Sequence, residues 1–263
     1  GETRSATMSC TSTWTIMKRR FAPGCGRCRF RRRARIHVDD RPGGLLGSAS
    51  MDHAWAELPA YVEDSDYRYV THYAPLSSTV TARNFTICYD TKKRIANWVA
   101  YPIHDCYMQG SYNRADTWAY DPDIPSQYQA DLSLGSYRSG GIRGHQCMSN
   151  HRYVPYSPLL NEQTFYYTNM SPQRNKFNTG IWLTLEGQVQ SWGRSCTSSD
   201  TLYVVKGGTI DKEDQIRGYI SNDLSKPIPK YYYMALLFKK GDSFKAIAFW
   251  DGALRYSEID KTC

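Results

Sequence analysis

No part of this 263-residue sequence stays apolar for long. The longest such run, YYYMALLF at 231–238, is far short of the roughly 18 residues that cross a bilayer, so no membrane span is expected. The first residues lack the apolar stretch of a secretory signal, and any signal peptide is expected to be absent or already removed. No internal repeat is visible. Charge of one sign is also missing from most of the chain. Of 33 Lys/Arg and 25 Asp/Glu, 11 and 3 fall within residues 1–45, and 22 of each follow. The net charge of +8 therefore belongs to the leader and says nothing about what the remainder binds. A second Cys-x-x-Cys pair is absent as well. Cys25 and Cys28 have only Cys10 and His37 nearby, a poor match to a four-ligand zinc site. Five cysteines follow the leader, an odd number that leaves pairing open. One or two disulfides would suit an exported protein, and a secreted, periplasmic or cell-surface location is expected on that ground.

What the sequence has in quantity is aromatic side chains. Twenty-one tyrosines and seven tryptophans favour strands over a helical bundle. Residues 1–50 have no apolar period and end in RPGGLLGSAS, a linker signal, so they read as a basic, disordered leader. The Arg-rich GCGRCRFRRRAR could also be an arm that touches phosphates. Residues 51–263 read as one folded domain. NFTICYD and IANWVAYPIHD, joined by TKKR, predict a hairpin; YYYMALLF and FKAIAFW predict a second one around Gly241. TFYYTNM and TLYVVKGG read as single strands. In NKFNTGIWLTLEGQVQSW the spacing of Trp182, Leu185, Val189 and Trp192 predicts one apolar stripe of a helix. The fold class is α+β with an antiparallel sheet.

The stretch SGGIRGHQCMSNHR, residues 139–152, concentrates glycines, arginines and histidines where there is no apolar period and no plausible long helix. Glycines for a turn and arginines for solubility would explain it in structural terms. Its neighbours favour chemistry. RGHQC (143–147), TNMSPQ (168–173) and FNTGIWLTLE (177–186) are similar, in order and spacing, to the DNA/RNA non-specific endonucleases of the ββα-metal class. WVAYPI, NRADTWAYDPDIP and YRSGG resemble that family's approach to its active site, so the likeness covers roughly residues 65–250.

The resemblance implies a ββα-metal nuclease fold, a central antiparallel sheet flanked by helices, with a role for each motif residue. His145 would be the general base, since a neutral imidazole can take a proton from water near neutral pH; a satisfied structural histidine is the bland alternative. Asn178 would be the single direct metal ligand, its amide oxygen suiting Mg²⁺, with Mn²⁺ as the other candidate. It could also simply cap the helix. Glu186 lies eight residues on, about 12 Å of rise and roughly 80° of rotation along a helix. Holding a metal-bound water suits it better than direct ligation, and a solvated surface Glu is the alternative. Arg143 and Arg114 would contact the scissile phosphate. Asn169 would orient the metal's water or a phosphate oxygen. Ile142 stands where the family pattern has Asp, which removes a carboxylate beside Arg143.

The implied activity is Mg²⁺-dependent, sugar-non-specific hydrolysis of phosphodiester bonds in DNA and RNA. His145 would activate water, and the Asn178-bound metal would stabilise the leaving group. DNA and RNA are the expected partners, held through phosphate contacts; a homodimer or an inhibitor protein stays open. The rival is a catalytically weak nucleic-acid-binding protein on the same fold. A cysteine hydrolase built on Cys147 with His145 or His151 has no flanking signature.

Overall fold

The computed structural model describes residues 4–7, 13–16, 55–132, 141–196, 200–220, 223–241 and 243–252. The cysteine-rich part of the leader (Cys10, Cys25, Cys28, His37), the arginine cluster and Cys263 lie outside them. Along the chain the strands are β1 (Arg4–Thr7), β2 (Thr13–Ile16), β3 (Tyr67–Pro75), β4 (Thr81–Asp90), β5 (Ile95–Ile103), β6 (Gly141–His145), β7 (Met170–Arg174), β8 (Thr201–Gly208), β9 (Ile216–Ile220), β10 (Asp223–Pro229), β11 (Tyr231–Lys240) and β12 (Ser243–Gly252). The α-helical segments are α1 (Leu159–Glu162), α2 (Asn175–Phe177) and α3 (Leu183–Arg194).

Both expected hairpins form, β4–β5 and β11–β12. They are halves of one six-stranded antiparallel sheet in the order β12-β11-β8-β5-β4-β3. β5 is buried along its whole length because alternate residues enter two cores. Val99, Tyr101 and Ile103 face the core under α3, with Trp182, Val189 and Phe177. Trp98 and Ala100 face the other, which residues 55–62 help to cover through Leu58 and Val62. That covering segment is tied down by a buried ion pair, Glu57 with Arg83, and by the Arg83 guanidinium 4.3 Å from the Trp55 ring centre.

Three expectations change. TFYYTNM is not a strand: Gln163–Phe165 and Tyr167–Asn169 are 3₁₀ turns, and the strand begins at Met170. The buried face of α3 and the turn before it is Trp182, Glu186, Val189 and Gly193, so a carboxylate sits in the expected apolar stripe. Leu185 is half-buried and Trp192 is 40% exposed. A π-helical stretch, Asn178–Trp182, precedes α3, and in it Gly180 departs from helical backbone (φ −100°, ψ −119°). Gly193 is where it is because a Cβ there would overlap Ile103 of β5. Finally, β1 pairs with β2, so part of the leader carries regular structure, and β2 lies beside the sheet's edge strand β12.

Candidate active site

β6 and β7 pair antiparallel, with His145 opposite Met170 and Ile142 opposite Gln173, and the chain then runs into α2, the π turn and α3. The Ile142 side chain lies outside the described residues. Alternation along β6 sends Arg143 and His145 to one face and Gly144 to the other. Gln173 packs into the space that Gly144 leaves, since a Cβ there would overlap its side chain. The Gln173 Oε1 accepts a 2.5 Å hydrogen bond from the Asn178 amide nitrogen. That bond turns the Asn178 oxygen the other way, where it accepts no hydrogen bond among the described residues.

On the His145 face three expected residues come together around two that the sequence reading did not single out. The His145 ring meets Phe165 edge-on at 4.9 Å and Trp118 at 5.6 Å between centroids. Arg143 lies over the Trp118 ring at 3.4 Å from its centre and donates to the Leu132 carbonyl at 3.0 Å. Arg114 lies over Phe165 at 4.9 Å and pairs with Asp116 on the surface. His145 is 7% exposed, and its Nε2 is buried with no hydrogen-bond partner among the described residues. Burial, then the charges of Arg114, Lys206 and Arg143, push its proton affinity down to a pKa of about 3.

Two expected residues have other tasks here. Asn169 is fully buried, and its amide is used up by backbone: Oδ1 accepts from Cys147 N at 2.8 Å, and Nδ2 donates to the carbonyls of Cys147 and Thr164. It braces the loop after His145 through these bonds. Glu186 is buried and ion-paired with Lys206 of β8, whose ammonium also lies 3.3 Å from the His145 carbonyl. Burial raises the Glu186 carboxyl, and Lys206 works against that rise. The pair engages the Oε1 of Glu186. Lys206 had a visible signal: a lysine inside the strand YVVKGG must find a partner if that strand is buried. Gln173 stood at the end of a quoted motif.

A divalent cation needs oxygen ligands. The pre-turned Asn178 oxygen fits as a single protein ligand, and Glu186 does not. Elsewhere, His72, Asp121 and Asp123 bring ligand atoms within 4.8 Å of one another. Asp121 already accepts three hydrogen bonds there. Its oxygens accept from His72 (3.0 Å), the Thr168 hydroxyl (2.6 Å) and the Asp123 amide (3.0 Å). Burial alone would raise its pKa, but the His72 and Thr168 hydrogen bonds hold it below the ordinary value. These contacts tie β3 to the 121–130 loop, and His72, Asp121 and Asp123 form a second candidate metal site.

The cysteine hydrolase reading ends at Cys147, which is fully buried, with its thiol pushed up by burial. No disulfide joins Cys88, Cys106, Cys147 or Cys196, so the expected disulfides are not found among the described cysteines.

The sequence pattern described as DNA/RNA non-specific endonuclease matches residues 65–262. The chain belongs to that family. Among curated members of it, the chain is 28% identical to nuclease C1 of Cunninghamella echinulata var. echinulata over 62% of this chain and 68% of that one. It is 32% identical to mitochondrial nuclease EXOG of Mus musculus (63% and 46%), and 24% identical to mitochondrial endonuclease G of Bos taurus (59% and 52%). The chain thus spans about half to two thirds of the length of these relatives. The crystal structure of an EndoG/EndoGI complex superposes with a TM-score of 0.51 at 21% identity, over 65% of this chain and 71% of that one. That likeness shows the fold: β6, β7 and the helix after them are the ββα unit, set against the antiparallel sheet.

Proposed function

We propose that this chain hydrolyses phosphodiester bonds in DNA and RNA with the aid of one divalent cation, Mg²⁺ first, held at Asn178. The observation that carries the reading is the His145 Nε2: buried, unpartnered and neutral, next to two arginines. Arg143 and Arg114 bind the phosphate oxygens and hold the diester against His145. His145 takes a proton from the attacking water; the new P–O bond forms as the bond to the 3′ oxygen breaks, which leaves a 5′ phosphate. A base with so low a proton affinity is weak in the empty site. Burial is the larger cause and stays, but an incoming phosphate offsets the charges of Arg114 and Arg143 and so restores part of its basicity. When bound at Asn178, the cation supplies positive charge beside the phosphate. Nothing in this constellation reads a base or a sugar, so sequence discrimination is low.

The Glu186–Lys206 pair favours a second reading, a weak nuclease that mainly binds nucleic acid. Incubation with supercoiled plasmid and with RNA, with Mg²⁺ and with chelator, separates the two. The expected result is nicking and RNA loss in Mg²⁺ only, with His145→Ala slower by at least about 10²-fold and nucleic-acid binding kept. Undiminished cleavage in chelator would remove the cation from the mechanism; inactivity in every divalent metal would establish the binding protein.

A further inference from the structure

We propose that Trp118 is a positioning residue for the phosphate-binding arginines, holding the Arg143 guanidinium through the face of its indole; this rests on the nuclease reading above. Two like charges have to be kept beside one histidine without a phosphate present. Arg143 stacks at 3.4 Å from the centre of the Trp118 ring, and Arg114 lies 5.9 Å from the same centre and 4.9 Å from that of Phe165. The two rings stand at 87° with centroids 4.9 Å apart, the edge-to-face arrangement their quadrupoles favour. His145 completes the group by contact with both. One aromatic pair therefore orients both arginines and the base.

Stacking suits this task because it uses the face of the guanidinium and not its edge. The ring attracts the flat face of a guanidinium and consumes none of its N–H donors. One Arg143 donor is taken by the Leu132 carbonyl, which fixes rotation in the plane of the stack. Trp118 is itself held by backbone. The amide of Ala119 lies 3.5 Å from the Phe165 carbonyl, and the Ala119 carbonyl accepts from Tyr167 at 2.9 Å. The 111–120 loop is thus stitched to the segment carrying Phe165, and the indole arrives in register with the site. Such a device lowers the cost of orienting the phosphate at the moment of reaction.

The test compares Trp118→Phe with Trp118→Leu in the full chain. Affinity for a short single-stranded oligonucleotide is measured in chelator, and kcat and KM on plasmid in Mg²⁺. Trp118→Phe keeps a ring face and is expected within about threefold of the parent in all three. Trp118→Leu is expected to weaken oligonucleotide binding and raise KM by about tenfold, the order of one lost cation–π contact. The slope of log affinity against log salt stays unchanged, because every charge is still present. Parent-like behaviour of a folded Trp118→Leu protein overturns the proposal, and so does a Trp118→Phe protein as poor as Trp118→Leu. Should Trp118→Leu fail to fold, Arg143→Lys decides: it keeps the charge without the flat face and is expected to lose as much, and full activity would overturn the proposal. The nuclease reading fails separately. A parent protein that cuts neither DNA nor RNA would sink that reading, while ring-dependent oligonucleotide binding in chelator would still stand.

Discussion

His145 loses its proton affinity to burial first and to the charges of Arg114, Lys206 and Arg143 after that. The consequence for stability has a definite sign. An unfolded histidine titrates near 6.5. Between that value and about 3 the unfolded chain binds a proton that the folded one refuses, so stability falls as pH drops through this window. His151, buried against the backbone carbonyl of Glu186, is held well below its ordinary value and acts in the same direction. Replacing His145 by Asn is expected to flatten the decline of Tm between about pH 6.5 and pH 4. Parallel Tm curves for the two proteins would contradict the burial argument. In the active parent, the acid limb of kcat/KM is expected well below pH 6, because that limb reports the free enzyme's base.

Between elements, the Glu186–Lys206 pair is the tie that joins α3 to β8, and through the His145 carbonyl to β6. Both side chains are out of water, so breaking the pair leaves one buried charge alone. Lys206→Met is expected to cost about 3–5 kcal/mol in urea unfolding. The double substitution Lys206→Met, Glu186→Met is expected to recover most of that, since two apolar groups replace two charges. A double variant no more stable than the single one would show that the pair does more than neutralise itself. This tie was half legible in the sequence. The helix was visible in the spacing of Trp182 and Val189, but Leu185 and Trp192 were drawn into its stripe and Glu186 was left outside. Hydropathy assigns a carboxylate to solvent, and no local signal announces that a lysine twenty residues away will bury it. The π turn at Gly180, ahead of that face, leaves no periodic trace either. The ribbon was legible for the opposite reason. His145, Arg143, Asn178 and Gln173 sit in short motifs whose chemistry is local, whereas the work of Asn169 depends on what the 146–147 backbone needs.

For the molecule as a whole, the folded body begins before the family pattern does. Residues 55–62 cover the second core, and Glu57 neutralises a fully buried Arg83. A chain trimmed to start at residue 51 is expected to keep its stability, with kcat within about twofold, as no active-site residue is removed. One trimmed to residue 65 strands the Arg83 charge and is expected to lose about 3–5 kcal/mol. Equal melting of the two truncated proteins would place the boundary at 65. Removing residues 1–45 also takes away eight net positive charges and the β1–β2 pair beside β12. If the leader touches nucleic acid, that deletion flattens the salt dependence of binding and leaves turnover alone.

The position of β8 in the sheet carries a consequence for the order in which the protein comes into being. Lys206 reaches His145 and Glu186 from a strand held between β5 and β11. A ribosome has to deliver the chain through Lys240 before β8 has both neighbours, long after every active-site residue before it has emerged. Until then β8 has only β5 beside it, and the sheet that carries Lys206 is open on its β11 side. A chain that stops short of β11 is therefore expected to carry every motif residue of the ribbon without the complete sheet that supports it.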